Sequence, residues 1–255
     1  MVISKGIDCA TTLTQAVIQA FKSDGVTFAG RYVKSNSWKT LKKAEADMLQ
    51  ACGIQILSVY ERSADTTRGG AAAGSADGVE AFTHARAIGQ PLGTAIYFAV
   101  DYDAPVEDFP RIERYLRAAA ACIPGYKLGV YGKYSVIEAM AQGLPGIYCW
   151  QTRAWSMGKV SRYSHVYQKE IDRQIHGIGV DLNDLLKPDA GLWPKPEVKE
   201  EKPKMKKEDA EKVASILSKN WFLLQTAGAD KSVLNEIGRL ADEVRVAGGI
   251  PKQNG

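Results

Sequence analysis

Long apolar runs are missing from this chain. No stretch approaches the ~20 residues that a membrane-crossing helix requires, so no membrane insertion is expected. The amino terminus, MVISKGIDCA, lacks the basic start, apolar stretch and small-residue cleavage site of a secretory signal, so synthesis as a soluble cytoplasmic product is expected. Charge of one sign is also scarce. The formal net charge is only +4, too little to argue for a nucleic-acid partner. Cysteine is sparse and scattered: Cys9, Cys52, Cys122 and Cys149 form neither a Cys-x-x-Cys pair nor a zinc-like spacing, so free thiols are expected. Histidine is rarer still. His84, His165 and His176 build no His-Glu-x-x-His or related ligand pattern, so no catalytic metal and no cofactor is expected. No Ser or Cys sits in a nucleophile elbow. The segment RGGAAAGSADG (68–78) lacks a Gly-Lys-Ser/Thr ending, and it reads as a flexible loop, not a phosphate cradle.

What the chain does contain is alternation. Short apolar runs at 2–8, 26–33, 54–61, 94–103, 126–132, 146–152, 165–171 and 177–183 read as strands, and helical patterns separate most of them. Leu13, Ala16, Val17, Ala20 and Phe21 form one such helical stripe, with Thr11 or Thr12 as its cap and Gly25 as its stop. Eight strands with intervening helices predict parallel βαβ units. The fold class is therefore α/β, a (β/α)8 TIM-like barrel over residues 1–187. It is trimmed or irregular, because ~250 residues are typical of that fold and the helices after strands six and seven look absent or short. An open doubly wound sheet is the alternative. Residues 188–206, rich in Pro, Lys and Glu, read as a charged linker. Residues 207–255 carry two helical patterns joined by TAGADKS, with stripes through Ala210, Val213, Ile216, Leu217 and Leu224 and through Leu234, Ile237, Leu240, Ala241 and Val244. Two short helices bury little by themselves, so this module needs a partner, the choices including self-association.

Acidic residues gather at the predicted strand ends: Asp8, Glu61, Asp101 with Asp103, and Asp181. In parallel barrels that end carries the active site, because the βα loops converge there. Arg31, Tyr32, Tyr60, Tyr102, Tyr131, Trp150 and Gln151 lie beside the acids and are candidate substrate-binding residues. Any one acid after a strand can be a helix cap. Five at four strand ends, with aromatics, match what sugar chemistry needs: one carboxyl to protonate the glycosidic oxygen, another to stabilise or attack the oxocarbenium-like centre, and flat rings to stack on sugar faces.

The segments GIDCA, YFAVDYD and GVDLN resemble the glycoside-hydrolase-like relatives of family 25 lysozymes, over roughly residues 3–185. That resemblance implies an Asp on strand one, an Asp-x-Glu on strand four and an Asp on the last strand, which fall on Asp8, on Asp101 and Asp103, and on Asp181. It implies an N-acetylmuramidase cleaving the glycan of bacterial peptidoglycan, with Asp103 standing at the position of the proton-donating Glu. One methylene fewer retracts that carboxyl by roughly 1–1.5 Å. Three arrangements accommodate this: a closer strand end, Glu61 as the acid, or a domain that binds glycan without cleaving it. An amidase is a further alternative, disfavoured by the missing zinc ligands. The C-terminal part is similar to the small helical wall-binding modules of phage endolysins, which implies peptidoglycan and secondary wall polymers as partners. It also implies a protein held in the host cytoplasm until release to the wall.

Overall fold

A computed structural model describes residues 2–194 and 205–252, and the chain divides into two units, Met1–Pro196 and Glu197–Gly255. In the first, eight strands close a barrel in sequence order: β1 (Ser4–Asp8), β2 (Val26–Tyr32), β3 (Gln55–Tyr60), β4 (Ala95–Ala99), β5 (Lys127–Gly132), β6 (Tyr148–Thr152), β7 (Val166–Ile175) and β8 (Ile178–Leu185). Helices α1 (Gln15–Ser23), α2 (Lys43–Ala51), α3 (Gly70–Ala87), α4 (Phe109–Ala121) and α5 (Tyr134–Gly143) follow the first five strands. The last two crossovers lack a helix, as the short spacing in the sequence implies.

The expectation of parallel units holds from β1 to β7 and fails at β8, which runs antiparallel to both β7 and β1. His176 and Gly177, at φ 51° and 78°, turn β7 directly into β8. A two-residue connection with both φ values positive joins antiparallel strands only.

Local chemistry explains the helix ends. Thr14, not Thr11 or Thr12, caps α1 by accepting the Val17 N–H, and the helix buries Ile18 and Phe21. The segment at 68–78 is not a flexible loop, because most of it forms the start of α3. Its glycines are there for packing: a Cβ on Gly74 would lie 2.1 Å from the Tyr115 carbonyl oxygen of α4. Close helix–helix approach, not loop mobility, uses these residues.

Inside the barrel, large side chains stand over positions without one. Phe28 covers Gly6, and Tyr97 covers Gly129, the alternation by which small barrels fill their interior. The end opposite the mouth is closed by residues read from sequence as linker. Ala190 and Leu192 join the interior cluster, Tyr97 donates its hydroxyl to the Ala190 carbonyl, and buried Trp193 exchanges two backbone hydrogen bonds with Ile56. Residues 188–194 therefore belong to the barrel, while the rest of the expected linker, up to residue 204, lies outside the described residues.

In the second unit, α6 (Lys207–Thr226) and α7 (Lys231–Ala247) pair through small side chains, Ala210, Ala214 and Ala241. Val213, Ile216, Phe222 and Leu223 stand exposed, so the contact face is narrower than the apolar stripes suggest.

Candidate active site

Alternate residues of a strand face opposite sides, and this parity decides which candidates reach the barrel mouth. Asp8, Tyr32, Val59, Ala99, Tyr131, Trp150, Thr152 and Gln168 all face inward. With Glu61, Asp101 and Asp181 they line an open cleft of about 230 Å³, walled on one side by Trp155, Ile171 and Asp172.

The acids fall into two groups. Asp8, the last residue of β1, lies directly opposite Asp181 on β8. Like charges facing each other across an antiparallel pair repel, and two amides offset this. Gln168 Nε2 donates to Asp8 Oδ2 (3.0 Å) and to Asp181 Oδ2 (2.9 Å), and Asn183 Nδ2 donates to Asp8 Oδ2 (2.7 Å). The amides are themselves oriented. Tyr131 (2.9 Å) and Thr152 (2.7 Å) donate hydroxyls to Gln168 Oε1, and the Trp150 indole donates to Asn183 Oδ1 (2.8 Å). Burial first, and then the charge of Asp181, push the Asp8 carboxyl up to about 7, although the amides pull it down. Burial also raises Asp181, partly countered by the Asp172 backbone N–H donating to its Oδ1 (2.8 Å). Gly30 makes the crowding possible, since a Cβ there would lie 2.6 Å from Asp8 Cβ and 2.9 Å from the Trp150 ring.

The outer acids are managed by a cation. Lys39 Nζ lies 3.1 Å from both oxygens of Glu61 and 4.5 Å from the centre of the Tyr32 ring. Asp101 receives no hydrogen bond on its carboxylate among the described residues. Burial, and then Glu61, raise its pKa, while Lys39 lowers it.

Five predicted site residues lie elsewhere. Asp103 is 63% exposed and paired with Lys133, because β4 ends at Ala99 and the chain turns before Asp103 can share the face of Asp101. Arg31 points outward between barrel and helices, where it is fully buried against Glu45 (2.7 Å) and donates to the Cys9 carbonyl. Tyr60, also outward-facing, donates to Glu80 (2.7 Å). Tyr102 donates to Asp108 (2.9 Å) beneath the Arg68 guanidinium. Gln151 braces the following loop, accepting from the Ser161 N–H (2.7 Å) and donating to the Lys159 carbonyl (2.7 Å). Sequence reasoning also missed contributors: Gln168, Asn183, Thr152, Trp155, Asp172 and Lys39. Asp181 reaches the mouth from within β8, not from its C-terminal end, because that strand is reversed.

Among the described residues no group of three or more His, Cys, Asp or Glu side chains is arranged to hold a metal ion. What the cleft can do chemically is hold a proton near neutral pH on Asp8 beside the carboxyl groups of Glu61, Asp101 and Asp181, over an aromatic floor.

The family described as Rv2525c-like, glycoside hydrolase-like domain matches residues 19–185. The chain belongs to this family. One relative of this Rv2525c-like domain is Rv2525c of Mycobacterium tuberculosis, whose name gives peptidoglycan hydrolysis as its candidate activity. It is 33% identical over 186 residues, covering 68% of this chain and 77% of that protein. The crystal structure of that protein with L-tartrate superimposes with a TM-score of 0.68 at 29% identity, covering 75% of this chain and all of the other. A family 25 glycosyl hydrolase from Bacillus anthracis shares the fold, with a TM-score of 0.50 at 13% identity over 73% of this chain and 90% of that one. The Mycobacterium tuberculosis protein is described as Tat-secreted. That finding overturns the expectation of a protein kept in a host cytoplasm until release.

Proposed function

We propose that this domain is a peptidoglycan hydrolase of the glycosidase type, an N-acetylmuramidase acting on the glycan strand of the bacterial cell wall. One observation carries the reading: Asp8, Asp101, Asp181 and Glu61 surround a single open cleft floored by Tyr32, Tyr131 and Trp150. Carboxyls with divergent environments are what glycoside cleavage requires. Asp101 is the proton donor in this scheme. Its raised pKa favours the protonated form, and no donor among the described residues ties up its oxygens. Asp181 stabilises the positive charge that develops on the sugar, Asp8 stands beside it across the β1–β8 pair, and Tyr32 stacks on a sugar face. The two-helix unit serves as a wall-targeting module, as in endolysins, with the substrate reached after export.

A second reading, glycan binding without cleavage, draws on a specific observation. The residue at the family's donor position, Asp103, is turned toward Lys133, and Glu61 is held by Lys39. Purified Gram-positive cell walls separate the two. Wild-type protein releases new reducing ends, Asp101→Asn releases none while still binding walls, and Asp103→Asn stays close to wild type. Walls bound by the wild type without new reducing ends would refute cleavage and leave the binding reading. Free amino groups without reducing ends would indicate an amidase.

A further inference from the structure

The cleft wall formed by the β6–β7 connection is built from two consecutive β-turns whose residues run against ordinary turn chemistry. In the first, the Ser156 N–H donates to the Arg153 carbonyl (3.2 Å), which puts Trp155 at the third position with φ 54°. In the second, the Lys159 N–H donates to the Ser156 carbonyl (2.9 Å), with Met157 and Gly158 at φ 50° and 73°. Positive φ at these positions is normally supplied by Gly, Asn or Asp. For a large side chain it is a strained outlier, and such strain persists where surrounding structure enforces it, chiefly at functional sites.

The enforcement is visible. Ser156, almost fully buried, donates its hydroxyl to the Thr152 carbonyl (2.6 Å) and accepts the Tyr134 N–H (2.9 Å). Thr152 Oγ1 accepts the Ala154 N–H (3.1 Å) while its own hydroxyl goes to Gln168, which holds Asp8 and Asp181. The turn is thus anchored to the carboxylate network itself. Its product is a tryptophan that lines the cleft yet remains 45% exposed. Core packing does not explain that placement, because a glycine would relax the turn and leave no ring at the rim. An aromatic face held over an acidic cleft suits the apolar face of a pyranose ring.

We propose that Trp155 is a sugar-stacking, specificity-determining residue at the β6–β7 rim of the cleft, held in place at the expense of backbone strain. The ligand class is an N-acetylated glycan, and the inference rests on the glycan reading above. Trp38, 72% exposed but outside the cleft lining, provides a matched control. The test is calorimetric titration of the full chain with the N-acetylglucosamine trimer, together with melting temperatures. Wild type and Trp38→Ala are expected to bind alike, and Trp155→Ala to bind about tenfold more weakly. Trp155→Gly should bind as weakly as the alanine variant yet melt about 2–4 °C above it, because glycine accepts positive φ. That order reverses the usual ranking of alanine over glycine. Equal affinity of Trp155→Ala and wild type overturns the stacking role, and alanine melting above glycine overturns the strain argument. A wild type that does not bind the trimer also overturns the inference, while reducing-end release from walls judges the catalytic reading separately.

Discussion

Replacing Asp8 by Asn tests the electrostatics of the cleft without relying on any substrate. Burial and the facing Asp181 lift the Asp8 carboxyl from its ordinary 3.8 to about 7. Below pH 4 the group is protonated in both the folded and the unfolded chain, and it costs nothing. Between pH 4 and 7 the unfolded chain releases this proton while the folded chain retains it, so stability falls as pH rises. Above pH 7 the full penalty is present. At 1.36 kcal/mol per pKa unit, moving from 3.8 to about 7 amounts to about 4 kcal/mol. Asn fits the site. Both donors, Gln168 and Asn183, converge on Oδ2, so the amide oxygen can take that place. Asp8→Asn should therefore melt on the order of 10 °C higher than wild type at pH 8, with the gap closing as pH falls toward 4. Thermal melts monitored by circular dichroism at half-unit pH steps measure this directly. Parallel curves for the two proteins from pH 4 to 8 would refute the assignment of a buried, proton-retaining Asp8.

Other consequences are simpler to read. Lys39→Met removes the cation that lowers the Asp101 pKa, so the alkaline limb of the pH–activity profile should move to higher pH, and an unmoved limb would exclude Asp101 as the titrating acid. Arg31→Met strands the fully buried Glu45 at a cost of about 3–5 kcal/mol, seen as a fall in denaturation midpoint. Adding Glu45→Leu should recover most of that loss, and wall hydrolysis by the folded variants should persist if Arg31 is structural. Gly30→Ala forces a Cβ to within 2.6 Å of Asp8 Cβ, so hydrolysis should collapse well before the fold does, a divergence that activity and melting measurements together would register.

Much of this architecture was legible because helix and strand periods differ so plainly in the first two-thirds of the chain. The barrel, its missing late helices and the grouping of Asp8, Glu61 and Asp101 at one mouth follow from apolar spacing and the chemistry of strand ends, whereas Asp181 joins them from within a reversed β8. Parity carried information left unused. Arg31, Tyr60 and Gln151 each sit one residue off the inward-facing series on their strands, and that offset alone places them outside the interior. Asp103 illustrates a different failure: its parity matches that of Asp101, but β4 stops at Ala99, and strand ends depend on tertiary contacts that a local pattern does not encode. Gln168 and Asn183 escaped notice because neutral amides carry no motif. Only the pairing of β7 with β8 brings them under the acids.

That pairing also explains how the cleft keeps two kinds of carboxyl apart. Asp8 and Asp181 meet because β8 enters the barrel reversed, which sets them in register across a ladder instead of at neighbouring strand ends. Their repulsion is relieved by amide donors, dipoles without net charge. A lysine in place of Gln168 would relieve it more strongly, but it would also drive both groups to the ionised form. The outer acids are treated in the opposite way, with Lys39 supplying a full positive charge to Glu61. Neutral donors at the floor leave the Asp8 carboxyl raised to about 7, whereas the cation at the rim lowers the pKa of Asp101. The choice between amide and ammonium partners is what sets the two groups of acids apart within one cavity.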